Sequence, residues 1–253
     1  MVTAESVKRF CREKGADLVG IAPMTRWEGA PKQFDPRAIA PRAKSMIVLG
    51  FRIARGALRG IEEGTLYTTY PSMGYAALNQ IYAPMVLWNL TNFLEDHGYE
   101  TVPLLNANGG EAVNPVTGNF RAGWSIPVAE GKPYPDVLVH FRIAAFLAGL
   151  GQIGYSKVFL TPQFGPRQRF ALCMTEAELE PDPIFEAEIC DRCMQCVTIP
   201  VRRLKRGENI LILRSKYHEN LPGLESLFLL GDFGVNRAET IVKLPETLEL
   251  ADW

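Results

Sequence analysis

Gly149-Leu150-Gly151-Gln152-Ile153-Gly154, followed by Val158-Phe159-Leu160-Thr161-Pro162, is the stretch on which the reading of the fold turns. Its glycines match G-x-G-x-x-G, the fingerprint of a dinucleotide site. That fingerprint works only between a strand and a helix, because amides at the helix N-terminus bind the pyrophosphate. Here Asp136 to Leu147, before the glycines, reads as a buried helix, and the residues after them read as a strand closed by proline. The order is reversed, which excludes a Rossmann unit. The glycines then mark a close approach of the backbone to something, either a bulky cofactor or another strand.

Outward from this loop, helices and strands are mixed. Ala4 to Lys14 spaces Val7, Phe10 and Cys11 at helical intervals, and Gly15 ends the pattern. Asp17 to Ile21 and Lys44 to Phe51 read as strands separated by a proline-rich loop, the second buried around Met46-Ile47-Val48-Leu49. Met73 to Asp96 has a helical apolar period that includes Leu78, Ile81, Met85, Leu90, Phe93 and Leu94, with Pro84 set to kink or restart it. Tyr99 to Leu105 reads as a strand, and Asn106 to Pro135 as a long loop of the kind that is usually functional. Val158 to Leu160 and Gln168 to Thr175 read as strands joined by a turn around Gly165-Pro166. Acidic, proline-rich Glu176 to Pro183 reads as a boundary. The expected organisation is an α+β cofactor-binding domain over residues 1–178, then a cysteine-containing module with the C-terminal tail over 179–253.

The chain has 253 residues, 47% of them hydrophobic, enough for one substantial core and a small appendage. A net charge of -1 and a pI near 6.3 leave no basic surplus for nucleic acid or an anionic membrane, so a small molecule or cofactor is the expected partner. The first ten residues carry charges where an export signal needs an apolar run. Val137 to Leu150, the longest apolar region, is broken by His140 and Arg142 and is too short to span a bilayer. A cytoplasmic location is expected. His140, on an apolar stretch, reads as a satisfied core residue and not as a ligand. Five cysteines, three of them clustered, suit metal binding in a reducing compartment better than disulfides.

Cys190, Cys193 and Cys196 repeat the first three ligands of C-x2-C-x2-C-x3-C-P, with Pro200 in place of the fourth cysteine. Two-residue spacers let the backbone curl around a metal–sulfide core. In two-cluster ferredoxins the fourth cysteine serves the other cluster, and a second run returns the favour. Both are absent here, so the expectation is one cluster, of the 4Fe-4S type by this pattern's usual chemistry, with three thiolates and one open iron. Cys11, Cys173, His218 or a small exogenous ligand could fill that position. Three cysteines and a histidine also suit tetrahedral zinc, and a loop with no metal is the third reading.

The run Ala148 to Gly154, continued by Phe159-Leu160-Thr161-Pro162-Gln163-Phe164-Gly165-Pro166-Arg167 and by Glu180-Pro181-Asp182-Pro183, resembles the reductive dehalogenase and epoxyqueuosine reductase superfamily. Looser likeness lies at Ala16 to Ile21, Met46 to Gly50 and His97 to Glu100. The resemblance implies a nitroreductase-like domain that binds cobalamin and a ferredoxin-like module whose iron–sulfur cluster reduces the cobalt. In that family the glycine loop and the Thr-Pro-x-x-Gly-Pro-Arg turn line the corrinoid, which carries over here to Gly149, Gly151, Gly154, Thr161, Gly165 and Arg167. The departures are specific. The family places a basic residue just after the last glycine, whereas this chain has Tyr155, with Lys157 two residues on. Epoxyqueuosine reductases carry Asp-Tyr-His where this chain has Gly74-Tyr75-Ala76, so the carboxylic acid is missing.

A tyrosine is the remaining proton donor, since a phenol can protonate a carbanion-like centre when a nearby cation stabilises the phenolate. Tyr70, Tyr75 and Tyr155 are the candidates, with Tyr67 beside them. The expectation is a cytoplasmic cobalamin and iron–sulfur oxidoreductase acting reductively on a small organic substrate. A ferredoxin or flavodoxin would supply electrons, steered by Arg202-Arg203-Leu204-Lys205-Arg206. The alternatives are a cobalamin carrier without turnover and a flavin-binding version of the fold.

Overall fold

The computed structural model describes residues 2–106, 127–133 and 137–192, and the backbone of 233–235 and 241–243. The chain divides into two compact units, Met1–Ile199 and Pro200–Trp253.

In the first unit, Thr3 starts α1 (Ala4–Glu13). Its hydroxyl accepts from the Ser6 N–H, and the Ser6 hydroxyl accepts from the Thr3 N–H. A reciprocal cap of this kind contributes about 1 kcal/mol. Val7 and Cys11, one turn apart, form the buried face of the helix. The chain then makes β1 (Leu18–Pro23), three short 3-10 turns through the proline-rich region, and β2 (Ser45–Arg52). After α2 (Gly56–Glu62) comes the long helical region, which is two helices. Tyr70–Tyr82 is a π-helix, and α3 (Ala83–Glu95) begins with Pro84 in its first turn. Pro84 has no N–H and its ring crowds the carbonyl four residues back, so the upstream hydrogen-bond register stops there and a new one starts. Thirteen residues is long for a π-helix, which usually occurs as a single-turn bulge.

β3 (Thr101–Leu104) follows, then α4 (Phe141–Leu147), β4 (Gln152–Ile153), β5 (Phe159–Leu160) and β6 (Gln168–Thr175). The main sheet runs β1-β2-β6-β3, antiparallel throughout. β2 and β6 are buried almost end to end, which explains why they read as continuous apolar runs. Their side chains alternate between two cores. Ile47, Leu49, Phe51, Ala171 and Cys173 join Val7, Cys11, Leu87, Leu90 and Leu94 from α1 and α3. Met46, Val48, Phe170, Leu172 and Met174 join Trp27, Ala144, Ala145 and Phe159 on the α4 side.

Two expectations need correction. The helix expected from Asp136 begins at Phe141, with His140 extended at its N-cap. Asp136 lies outside the described residues, and the Leu138 N–H is used instead by the Gln33 carbonyl. His140 is exposed and stacks on Phe34, with ring centres 5.3 Å apart, and does not sit in the core. The strands expected at Val158–Leu160 and Gln168–Thr175 are present as β5 and β6, with the turn between them closed by mutual backbone hydrogen bonds of Thr161 and Gly165, and β5 pairs with β4. Among the described residues no helix is long and apolar enough to cross a membrane. In the second unit, β7 (Phe233–Val235) pairs antiparallel with β8 (Ile241–Lys243).

Cys11 and Cys173 are fully buried in the α1/α3 core. Desolvation pushes the Cys11 thiol from 9.0 up to about 12, and it raises Cys173 as well, with the nearness of Cys11 adding to the effect. Both thiols therefore stay neutral in the fold. Below pH 9 folded and unfolded chains hold these protons alike; as pH rises from 9 toward 12, the unfolded chain releases them first and stability falls. Two outcomes are expected. Iodoacetamide at pH 8 should leave Cys11 and Cys173 unlabelled until denaturant is added, as read by peptide mass spectrometry, and the urea midpoint should decline above pH 9.

Candidate functional site

The glycine loop is first the end of a helix. Gly149, at φ 73°, is the left-handed residue after α4: its N–H donates to the Phe146 carbonyl and that of Leu150 to the Ala145 carbonyl, a Schellman closure. A β-carbon on Gly149 would also collide with the Pro183 carbonyl oxygen, and one on Gly151 with the Leu160 carbonyl oxygen. The space beside these two glycines is thus filled by the chain's own backbone. Gly154, also buried, faces Leu160, and its N–H donates to the Val158 carbonyl to close a tight turn between β4 and β5. Lys157 in that turn has φ 64°, a left-handed conformation that costs a non-glycine residue roughly 1–2 kcal/mol.

This hairpin holds the first cysteine. The Gln152 side-chain carbonyl accepts from the N–H groups of Ile189 (2.9 Å) and Cys190 (3.1 Å). The Tyr155 N–H donates to Cys190 Sγ at 3.4 Å. The segment leading there is fixed by Asp182. Its carboxylate accepts from the Ile21 N–H (2.8 Å) and pairs with Lys8 (2.5 Å), its N–H donates to the Ile21 carbonyl, and its own carbonyl accepts from Arg26 (2.8 Å). Arg26 also donates to the Leu147 carbonyl at the end of α4. Gln152, Asp182 and Arg26 were not singled out from sequence. An aspartate between two prolines, Pro181 and Pro183, was the available signal.

The turn residues also have internal partners. The buried Thr161 hydroxyl donates to the Gln168 side-chain carbonyl (3.1 Å) and accepts from the Phe164 N–H (3.2 Å). Arg167 donates to the Ile53 carbonyl (3.1 Å), and Gly165 sits in an open left-handed turn at φ 58°. Ile143, Ile153, Tyr155 and Val158 are exposed apolar side chains on α4 and the hairpin.

The tyrosines are not brought together. Tyr155 rides on the hairpin, on the α4 side of the sheet. Tyr75 lies on the π-helix with the Arg169 guanidinium 4.6 Å above its ring, and Arg169 Nε donates to the Asn79 side-chain carbonyl (3.1 Å). Tyr70 lies one turn earlier, its ring beside Gly74, and Tyr67 is exposed.

Among the described residues no group of three His, Cys, Asp or Glu side chains could hold a metal. Cys193, Cys196, His218 and the basic run Arg202 to Arg206 lie outside them. Cys11 and Cys173 lie buried on the face of the sheet opposite α4 and β5, and not beside the hairpin that holds Cys190.

No family model matches the chain, and no curated protein is significantly similar to it. Solved structures do match in fold. The catabolic reductive dehalogenase NpRdhA, in complex with 3-bromo-4-hydroxybenzoic acid, superposes with a TM-score of 0.54 at 17% identity over 77% of this chain and 24% of that one. A reductive dehalogenase structure discussed for B12-dependent dehalogenation gives 0.53 at 18% identity with the same coverage. Epoxyqueuosine reductase from Streptococcus thermophilus gives 0.51 at 14% identity over 76% of this chain and 50% of that one. The chain thus spans about a quarter to a half of the length of these proteins. It shares its mixed helix-and-strand fold with reductive dehalogenases and epoxyqueuosine reductases, as the motif resemblance led one to expect.

Two substitutions separate close approach from turn conformation. Gly151→Ala, which meets a backbone carbonyl, should cost about 2–3 kcal/mol. Gly165→Ala meets nothing and should cost only about 1–2 kcal/mol, the price of a left-handed alanine. Chemical denaturation of the two variants measures the difference.

Proposed function

We propose that this chain is a reductive oxidoreductase for a small organic substrate, working in the reducing cytoplasm with a single iron–sulfur cluster on Cys190, Cys193 and Cys196. The observation that supports this most is the grip on Cys190. A free surface cysteine needs no scaffold, whereas here a side-chain carbonyl fixes the two amides leading into it and a third amide donates to its sulfur. Amide donors of this kind stabilise thiolate charge and tune the potential of a bound cluster. The donor set fits the group, with three thiolates at two-residue spacing, the first already held. When bound, the cluster supplies one-electron transfer. Gln152 sets the entry angle of the cysteine loop, and the turn that contains left-handed Lys157 presents the Tyr155 amide to sulfur. His218 or an exogenous ligand is proposed for the fourth position.

Cobalamin enters this proposal from the motif resemblance and from the B12-dependent chemistry of the matching dehalogenase. Gly149, Gly151, Thr161 and Arg167 do not fit it as a cradle, because their space and hydrogen bonds are taken within the chain. In the same reading, nitroreductase-like describes residues 1–178 and ferredoxin-like the cysteine-containing residues 179–253. Of the candidate tyrosines, Tyr75 is the proposed proton donor, with the Arg169 guanidinium against its ring. A ferredoxin or flavodoxin is the proposed electron donor.

Anaerobically purified protein should be brown, with iron and acid-labile sulfide in equal amounts, and Cys190→Ser, Cys193→Ser and Cys196→Ser should each lower both. Colourless protein lacking iron would overturn the proposal. With a low-potential reductant, Tyr75→Phe should reduce dehalogenating or deoxygenating turnover by about 10²-fold or more while iron content stays constant.

A further inference from the structure

Residues 65 to 94 contain no charged side chain. This stretch includes the whole π-helix and all of α3 but its last residue. A helix at a protein surface normally turns a polar face outward, whereas the first two turns of α3 expose Met85 and Trp88, with polar Asn92 and Glu95 exposed only toward its end. Its inward side is Ala83, Val86, Leu87, Leu90 and Leu94. Its outward side continues Ile81 through Met85 to Trp88, spaced i, i+4, i+7 along one stripe, and these are 61%, 62% and 69% exposed. Pro84, Met85, Trp88 and Asn89 line an apolar hollow of about 320 Å³ on the same stripe.

We infer that this face is a homodimer interface, in which a second copy lays the same stripe against the first about a two-fold axis. Three observations select a copy of the chain as the occupant. The stripe carries no charge, so two identical faces meet without like-charge repulsion and without burying an ion, which an isologous contact requires. The stripe also has relief: Trp88 and Met85 project beside the shallow, open depression they help to line, against which an identical stripe can lie. The area is also of the right size. Met73, Ile81, Met85 and Trp88 present on the order of 600 Å², which is most of the roughly 800 Å² that each partner buries in a specific complex and the upper end of what a monomer leaves bare. Tryptophan and methionine are, in addition, residues enriched at the centres of interfaces. This inference is independent of the cofactor and of catalysis.

Sedimentation equilibrium on the full chain tests it. Wild type should run at twice 28.2 kDa at micromolar concentration. Trp88→Glu and Met85→Glu, which place paired like charges across the two-fold axis, should each weaken the dimer at least 100-fold. Both side chains are solvent-exposed within one copy, so circular dichroism of the variants should match wild type. Arg9→Glu, an exposed charge on neighbouring α1, should leave the dimer intact. Wild type that sediments as a monomer at 100 µM, or a dimer that survives both charged substitutions, would overturn the inference. A monomer in which Trp88 is shielded from acrylamide would overturn it too, and would show that a segment of the chain itself covers the stripe.

Discussion

Everything in the first unit is arranged by a sheet that has no wet face. Because β2 and β6 are apolar on both sides, each needs a layer above and a layer below, and the chain supplies α1 with α3 on one side and α4 with the 3-10 turns on the other. The two layers then divide the chemistry. The α4 layer ends in the glycine loop and the hairpin that grips Cys190. The α3 layer carries the π-helix, Tyr75 and the buried thiols. A substitution that thins the sheet, such as shortening Met46 or Leu172, would therefore disturb the cysteine scaffold through Ala144, Ala145 and Phe159 without touching it directly.

What the sequence made legible follows from how far each feature reaches along the chain. α1, β1, β2 and β6 were readable because their burial shows in adjacent residues, as helical spacing or as an apolar run. Pro84 announced a break in the long helix, but not that the segment before it is a π-helix, because a change of hydrogen-bond register leaves the apolar pattern nearly unaltered. Val137 to Val139 could not be told from a helix, since an apolar run has no period that separates the two. The site was half legible. The spacing of the glycines was visible, whereas the carbonyls that require them, those of Pro183 and Leu160, come from other parts of the chain. The role of Gln152, an ordinary polar residue between glycines, appears only once the strand is laid beside Cys190.

The chemistry rests on small geometric margins. The amide given to Cys190 belongs to a turn that keeps a lysine left-handed, and the loop below it admits no β-carbon at Gly149 or Gly151. Both conditions tie the thiol's position to backbone that cannot relax independently. Such rigidity would suit the redox centre proposed for this loop, because electron transfer is fastest when ligands stay nearly unchanged between oxidation states. The same mixed helix-and-strand fold occurs in longer reductive dehalogenases and epoxyqueuosine reductases.

Asp182 does more than fix the path to the cysteines. By engaging both the N–H and the carbonyl of Ile21, it plugs the outer side of β1 at mid-strand, and at the far side β3 is four residues long with Pro103 inside it. Neither border presents the unbroken row of donors and acceptors that a foreign strand needs as a template. The sheet is sealed against growth by strand addition, and with it against the β-linked polymers to which such apolar strands would otherwise be prone.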